Sequence, residues 1–151
     1  MTDNLIVRRG LEEYIAYLKR LSPRSVRLIE KISIPGVQYN DPLFHAHGQD
    51  DYERMIEHLF RIAGNARLRI VDHGWSHMSK EQNHTAWIKW VFTFERKKQS
   101  YDIHGISEVI FNDNGKLLSH TNYWDSGFQL MNTFPVLRGL LERARRKIGT
   151  A

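Results

Sequence analysis

The chain has 151 residues, 41% of them hydrophobic and 26% charged, which fits an ordinary globular protein and excludes a disordered chain, a collagen-like fibre and a coiled coil. It has no cysteine, so disulfides, thiolate zinc sites and a cysteine nucleophile are excluded. The 22 Lys and Arg against 17 Asp and Glu leave a net charge of +5, which admits nucleic acid as a partner but argues weakly for it.

A chain of this length, with no repeat and no Gly/Ser linker, predicts one domain over 1–151. Its apolar runs fall well short of the ~18 residues a membrane span needs. The stretch Met1–Gly10 lacks the apolar core of a secretory signal, which predicts a cytoplasmic location.

Leu11, Tyr14, Ile15, Leu18 and Leu21 recur at helical spacing and predict a first helix over about 3–21. Ser22-Pro23 reads as an N-cap and first helical position, opening a short second helix over 23–31. Ile34-Pro35-Gly36 reads as a break, followed by a short strand over 37–40. Tyr52, Met55, Ile56, Leu59, Phe60 and Ala63 form the apolar stripe of a third helix. The period then changes, and strands are predicted over 67–78, 84–96, 100–112 and 116–126. In the second of these Ile88, Trp90, Phe92 and Phe94 alternate with Lys89, Val91 and Thr93, so both faces are at least partly covered. Asn112-Asp113-Asn114-Gly115 is a hairpin signal, because Asn and Gly tolerate positive φ. A basic helix over about 127–148, interrupted at Thr133-Phe134-Pro135, ends the chain; its charge run reads as a solvated face or as a contact for an acidic surface. Helices grouped before hairpin-joined strands predict an α+β fold, with a curved antiparallel sheet around the N-terminal helices and a cavity between the layers.

Glu13-Tyr14-Ile15-Ala16, Tyr39-Asn40-Asp41-Pro42, Gly48, Gly105-Ile106-Ser107, Phe111 to Lys116 and Tyr123-Trp124-Asp125 occur in an order and spacing that resemble the nuclear transport factor 2-like superfamily, which includes ketosteroid isomerases and SnoaL-like polyketide cyclases. The resemblance spans roughly 10–130. It implies a cone-shaped (cystatin-like) α+β barrel, a deep apolar pocket and a homodimer, with the tail helix as an addition.

The resemblance places Asp41 at the step where a ketosteroid isomerase keeps its general base. The other reading of Asp41 is a turn residue that bonds the backbone two positions on. Tyr14 falls where the isomerases carry an oxyanion-hole tyrosine; its other reading is a core residue in the first helix's stripe. Ser107 stands where the isomerases have a protonated aspartic acid, so that donor set is incomplete and steroid isomerisation is put in doubt. His120, Asn122 and Trp124 share a strand face by the period of two, and the resemblance turns that face to the pocket. Asn122 matches an aspartate of limonene-epoxide hydrolases, and Lys89 is a loose substitute for their arginine, so that chemistry is not expected. His120 could serve as acid or base, or be a hydrogen-bonded core histidine. Ile88, Trp90, Phe92, Phe94 and Trp124 are expected to wall a site for a flat apolar ligand. Asp125 reads as a cap for the tail helix, or as a residue of the dimer face. His73 and His77 fall in a predicted strand, where a spacing of four does not bring two rings together, and His45 with His47, in a loop beside Asp41 that could bind a metal weakly, lacks a third ligand at a known spacing, so neither a metal nor any other cofactor is expected.

The resulting expectation is a pocket protein for an apolar, carbonyl-bearing compound, with Asp41 as base and Tyr14 as donor if it is an isomerase or cyclase. The alternative is a non-catalytic dimerisation or interaction domain, whose cone would be filled.

Overall fold

The computed structural model describes residues 5–77, 83–130 and 135–149. Helix α1 (Leu5–Lys19) buries Val7, Leu11, Tyr14, Ile15 and Leu18, the stripe its periodicity requires. The segment after it differs from the expected second helix. Ser22 and Ser25 hydrogen-bond each other and nearby backbone, and only a 3₁₀ turn (Val26–Leu28) and the four-residue α2 (Ile29–Ile32) follow. The expected break at Ile34-Pro35-Gly36 is also revised. It lies inside strand β1 (Ser33–Asn40), where the pairing register shifts between Ser33 and Gln38. A bulge is where a sheet accepts proline and glycine.

Strand β2 (His45–His47) was not foreseen; it folds back on β1 across a turn at 41–44. Helix α3 (Gln49–Ile62) packs against β1, β2 and β3. Strands β3 (Gly64–Trp75), β4 (His84–Arg96), β5 (Gln99–Phe111) and β6 (Leu117–Tyr123) follow as an antiparallel meander. The expected end of the first of these, at residue 78, lies outside the described residues. The six-stranded order is β2-β1-β6-β5-β4-β3, a curved sheet that does not close. One pair departs from the expected antiparallel pattern: β1 runs parallel to β6, pairing Tyr39 with His120. That long-range pairing carries the first polar strand to the last one, and the candidate site lies there.

The inner face of β4 and β5 buries Ala86, Ile88, Trp90, Phe94, Ile103, Val109 and Phe111 against the helices. The outer face is partly covered, as expected: Val91 is 3% exposed, but Trp87 is 40% exposed. Gly115 ends the β5–β6 turn at φ +70°, and Gly10 of α1 presses on it so closely that a Cβ on Gly10 would lie 2.3 Å from the Gly115 carbonyl oxygen. The hairpin thus anchors α1 through two backbones in direct contact.

After β6 comes one π-helical turn, Ser126–Leu130, whose Phe128 N–H donates to Asp125 Oδ1 at 2.7 Å. Asp125 therefore caps the tail segment. Helix α4 (Pro135–Gly149) starts on a proline, and its Arg145 guanidinium sits 4.4 Å from the centre of the Phe128 ring. The expected interruption at 133–135 falls mostly on residues outside the described ones. No helix among the described residues is long and apolar enough to cross a membrane.

Candidate functional site

Between the helices and the concave sheet lies a cavity of about 200 Å³. Its walls are apolar: Leu18 from α1 and Leu21 just after it, Met55, Ile56 and Leu59 from α3, and Trp90, Phe92 and Phe94 from β4. Its polar end is built by β1, β5 and β6, which bring Tyr39, Ser107, His120 and Asn122 together, with Asp41 just beyond β1 and Trp124 just beyond β6.

The polar groups form one network with Asn122 at its centre. Trp90 Nε1–H, which can only donate, gives its hydrogen to Ser107 Oγ at 2.7 Å. Ser107 then passes its own hydrogen to Asn122 Oδ1 at 2.6 Å. At the other end of the amide, Asn122 Nδ2 donates to Asp41 Oδ2 at 3.0 Å and to the Tyr39 hydroxyl oxygen. A donor-only indole on one side and an acceptor-only carboxylate on the other fix which end of the amide is which. The amide in turn fixes His120. Nε2, 2.7 Å from Asn122 Oδ1, carries the hydrogen, and Nδ1 is the acceptor for the Tyr14 hydroxyl at 2.6 Å. Burial, the largest effect on His120, lowers its pKa from 6.5 to about 4, against smaller opposing pulls from the Asn122 hydrogen bond and the Asp41 charge. The imidazole is neutral at pH 7.

Asp41 is the turn residue that one reading made it, and its second oxygen is turned to other partners. Oδ1 accepts the Leu43 N–H at 3.0 Å, closing the turn between β1 and β2. Oδ2 faces the cavity end, accepting Trp124 Nε1–H at 2.9 Å together with Asn122.

Two expected site residues stand elsewhere. Tyr14 is fully buried behind the wall; it does not line the cavity, and its hydroxyl is committed to His120. A donor spent on a core partner cannot point at a ligand, so Tyr14 is a positioning residue for His120. Ile88 is also fully buried and outside the lining, in the core of β4. Lys89, the loose arginine substitute, lies exposed between Ile88 and Trp90, which point inward, and so faces the opposite side of the sheet. Trp90 is held by Gly105, opposite it on β5: a Cβ there would meet the indole ring at 2.3 Å. Tyr39 is the site residue that the sequence reading did not single out. The available signal was the period of two, which puts Tyr39 on the face of Asp41. His45 and His47 project from β2 away from the cavity, and among the described residues no group of three His, Asp or Glu side chains could hold a metal ion.

No protein-family model matches the chain, and no curated protein matches it. Solved structures do. A candidate isomerase of the SnoaL-like family from Agrobacterium tumefaciens str. C58 is 19% identical, with 83% of this chain and 99% of that one covered and a TM-score of 0.59. An NTF2-like superfamily protein from Salmonella enterica serovar Typhimurium str. LT2 is 13% identical, with 77% and 86% covered and a TM-score of 0.59. The chain has the nuclear transport factor 2-like fold. A candidate SnoaL-like polyketide cyclase from Jannaschia sp. CCS1 shares this fold at 10% identity, with 83% and 91% covered and a TM-score of 0.62. At such identities the likeness establishes the nuclear transport factor 2-like architecture and leaves the chemistry to the residues of the cavity.

Proposed function

We propose that this chain is a small-molecule pocket protein for an apolar compound bearing a carbonyl group, of polyketide, terpenoid or steroid type, and that Asp41 acts on it as a base. The observation that carries the reading is the cavity itself: apolar walls of Leu, Ile, Phe and Trp, and one polar end with an accessible carboxylate oxygen. An apolar ligand gains from the walls, while its single polar group is drawn to the one end that can hydrogen-bond it. A carboxylate at that end can take a proton from the carbon next to a carbonyl. His120, neutral and hydrogen-bonded at both nitrogens, orients Asn122 and through it Asp41. A candidate isomerase and a candidate polyketide cyclase with this fold are consistent with the reading.

The test uses 2-tetralone, a bicyclic ketone with acidic hydrogens beside the carbonyl, in D₂O. The protein is expected to speed exchange of those hydrogens, and Asp41→Asn to lower the enhancement about 100-fold or more with the fold intact. Undiminished exchange in the variant removes Asp41 as base. Binding without any enhancement in the wild type makes the chain a carrier.

The same reading includes a homodimer through the outer sheet face, where Ile106 and Tyr123 pair across β5 and β6 and are 45% and 53% exposed, beside Trp87. Sedimentation is expected to show a dimer that Ile106→Glu dissociates by at least tenfold in Kd. A wild-type monomer at high concentration overturns this part alone.

A further inference from the structure

One hydrogen in the polar network is uncommitted. Tyr39 receives a hydrogen bond from Asn122 Nδ2, and a nitrogen with two hydrogens and no lone pair can only donate to it. The Tyr39 oxygen is therefore the acceptor, and its own hydrogen is left over. Among the described residues no group accepts it. Asp41, the nearest anion in the network, takes its hydrogen bonds from Asn122, Trp124 and Leu43 instead. Tyr52, the other tyrosine in the wall, has its hydrogen committed. Tyr17 sits 3.2 Å from the Val26 carbonyl oxygen, which can only accept, so Tyr17 donates there and leaves its oxygen, 3.3 Å away, for the Tyr52 hydrogen. Tyr14 is committed to His120. Burial and, next, the Asp41 charge hold the Tyr39 phenol above its ordinary range, so the hydrogen stays on it at neutral pH.

We propose that the Tyr39 hydroxyl is the donor that engages a carbonyl oxygen of the cavity ligand, beside Asp41, and that it selects ligands carrying an acceptor at that end. This rests on the reading of the cavity as a ligand site. Asn122 Nδ2 holds the Tyr39 oxygen with one hydrogen and Asp41 Oδ2 with the other, so donor and base are anchored on a single atom. Their spacing is then set by an amide whose orientation the rest of the network fixes. That pairing suits enolisation. Asp41 takes a proton from the carbon next to the carbonyl, and the C–H pair becomes the new C=C bond. The carbonyl π pair moves onto oxygen, where the Tyr39 O–H stabilises the charge. Return of the proton from Asp41 to the carbon skeleton completes the step with nothing else consumed.

The test compares 2-tetralone with tetralin, the same skeleton without the oxygen, by NMR titration of the full chain. The wild type is expected to bind the ketone about fivefold more tightly, and Tyr39→Phe, which keeps the ring, to lose that preference while tetralin binding stays unchanged. Carbonyl-labelled 2-tetralone on the wild-type protein gives a reading that needs no variant: its stretching band is expected at lower frequency than in cyclohexane. Equal ketone and hydrocarbon affinities in the wild type, a preference that survives Tyr39→Phe, or an unshifted band each overturn the assignment of Tyr39 while leaving the pocket in place. A wild-type protein that binds neither compound overturns the pocket reading, and the assignment of Tyr39 falls with it.

Discussion

Asn122→Leu is expected to lower folding stability by about 4 kcal/mol, although leucine nearly matches asparagine in volume. The reason is where Asn122 stands. It accepts from Ser107 and His120 through one oxygen and donates to Tyr39 and Asp41 through one nitrogen. Ser107 is fully buried and His120 is 4% exposed, so neither finds water when the amide is lost. Each buried polar group left without a partner costs about 1–3 kcal/mol. Tyr39 and Asp41 are only partly buried and can be hydrated, so they add less. Urea unfolding of wild type and variant measures the difference. A loss below about 1 kcal/mol would show that the network relaxes around a leucine and does not define the polar end of the cavity. Asn122→Ser, which restores a small donor and acceptor with room for water, is expected to recover part of the loss.

The same residue shows what the sequence could and could not reveal. Asn122, His120 and Trp124 were legible as one strand face because strand periodicity is local, and all three do line the cavity. Asp41 was legible as a turn residue because the Asp-Pro step is a local signal, and its second oxygen lies at the polar end of the cavity. The C-terminal end of α1, at Lys19, lies two residues short of the expected one, while the limits of β4 followed from its apolar period. The path from Ser22 to His47 did not. Pro35 and Gly36 carry the same signal in a bulge as in a break, and only the partner strand decides between them. His45-Ala46-His47 is too short to show any period. The parallel pairing of β1 with β6 joins residues some 80 positions apart and leaves no local trace. Tyr14 was misplaced for a related reason. Its helical position put it correctly on the buried stripe, but whether its hydroxyl reached the cavity depended on His120, which fills the space between them. Tyr39 was missed because its importance lies in a hydrogen that has no acceptor, and that emerges only when the whole network is counted.

His120 gives the second large effect, a loss of stability on mild acidification. The folded protein holds it neutral, with a pKa of about 4, whereas in the unfolded chain it titrates near 6.5. Between those values the unfolded chain binds a proton that the folded protein does not. Stability therefore falls as pH drops from about 6.5 to about 4, with a slope approaching 1.4 kcal/mol per pH unit and a total of about 3 kcal/mol. Above pH 6.5 the group contributes no slope. The geometry explains why the folded state resists the proton. Both ring nitrogens are already engaged, and a hydrogen on Nδ1 would meet the Tyr14 hydroxyl's own hydrogen between two buried side chains. Asp51, lowered from its ordinary 3.8 chiefly by the His47 backbone N–H, loses its contribution at lower pH and does not confuse this window. Chemical unfolding at pH 7, 6, 5 and 4, repeated on His120→Gln, isolates the effect, because glutamine keeps a hydrogen-bonding side chain and does not titrate. The variant is expected to be less stable at pH 7 but flatter toward pH 4. Parallel wild-type and variant curves would mean that His120 takes up its proton in the fold, and that the Tyr14–His120–Asn122 relay opens more easily than its hydrogen bonds imply.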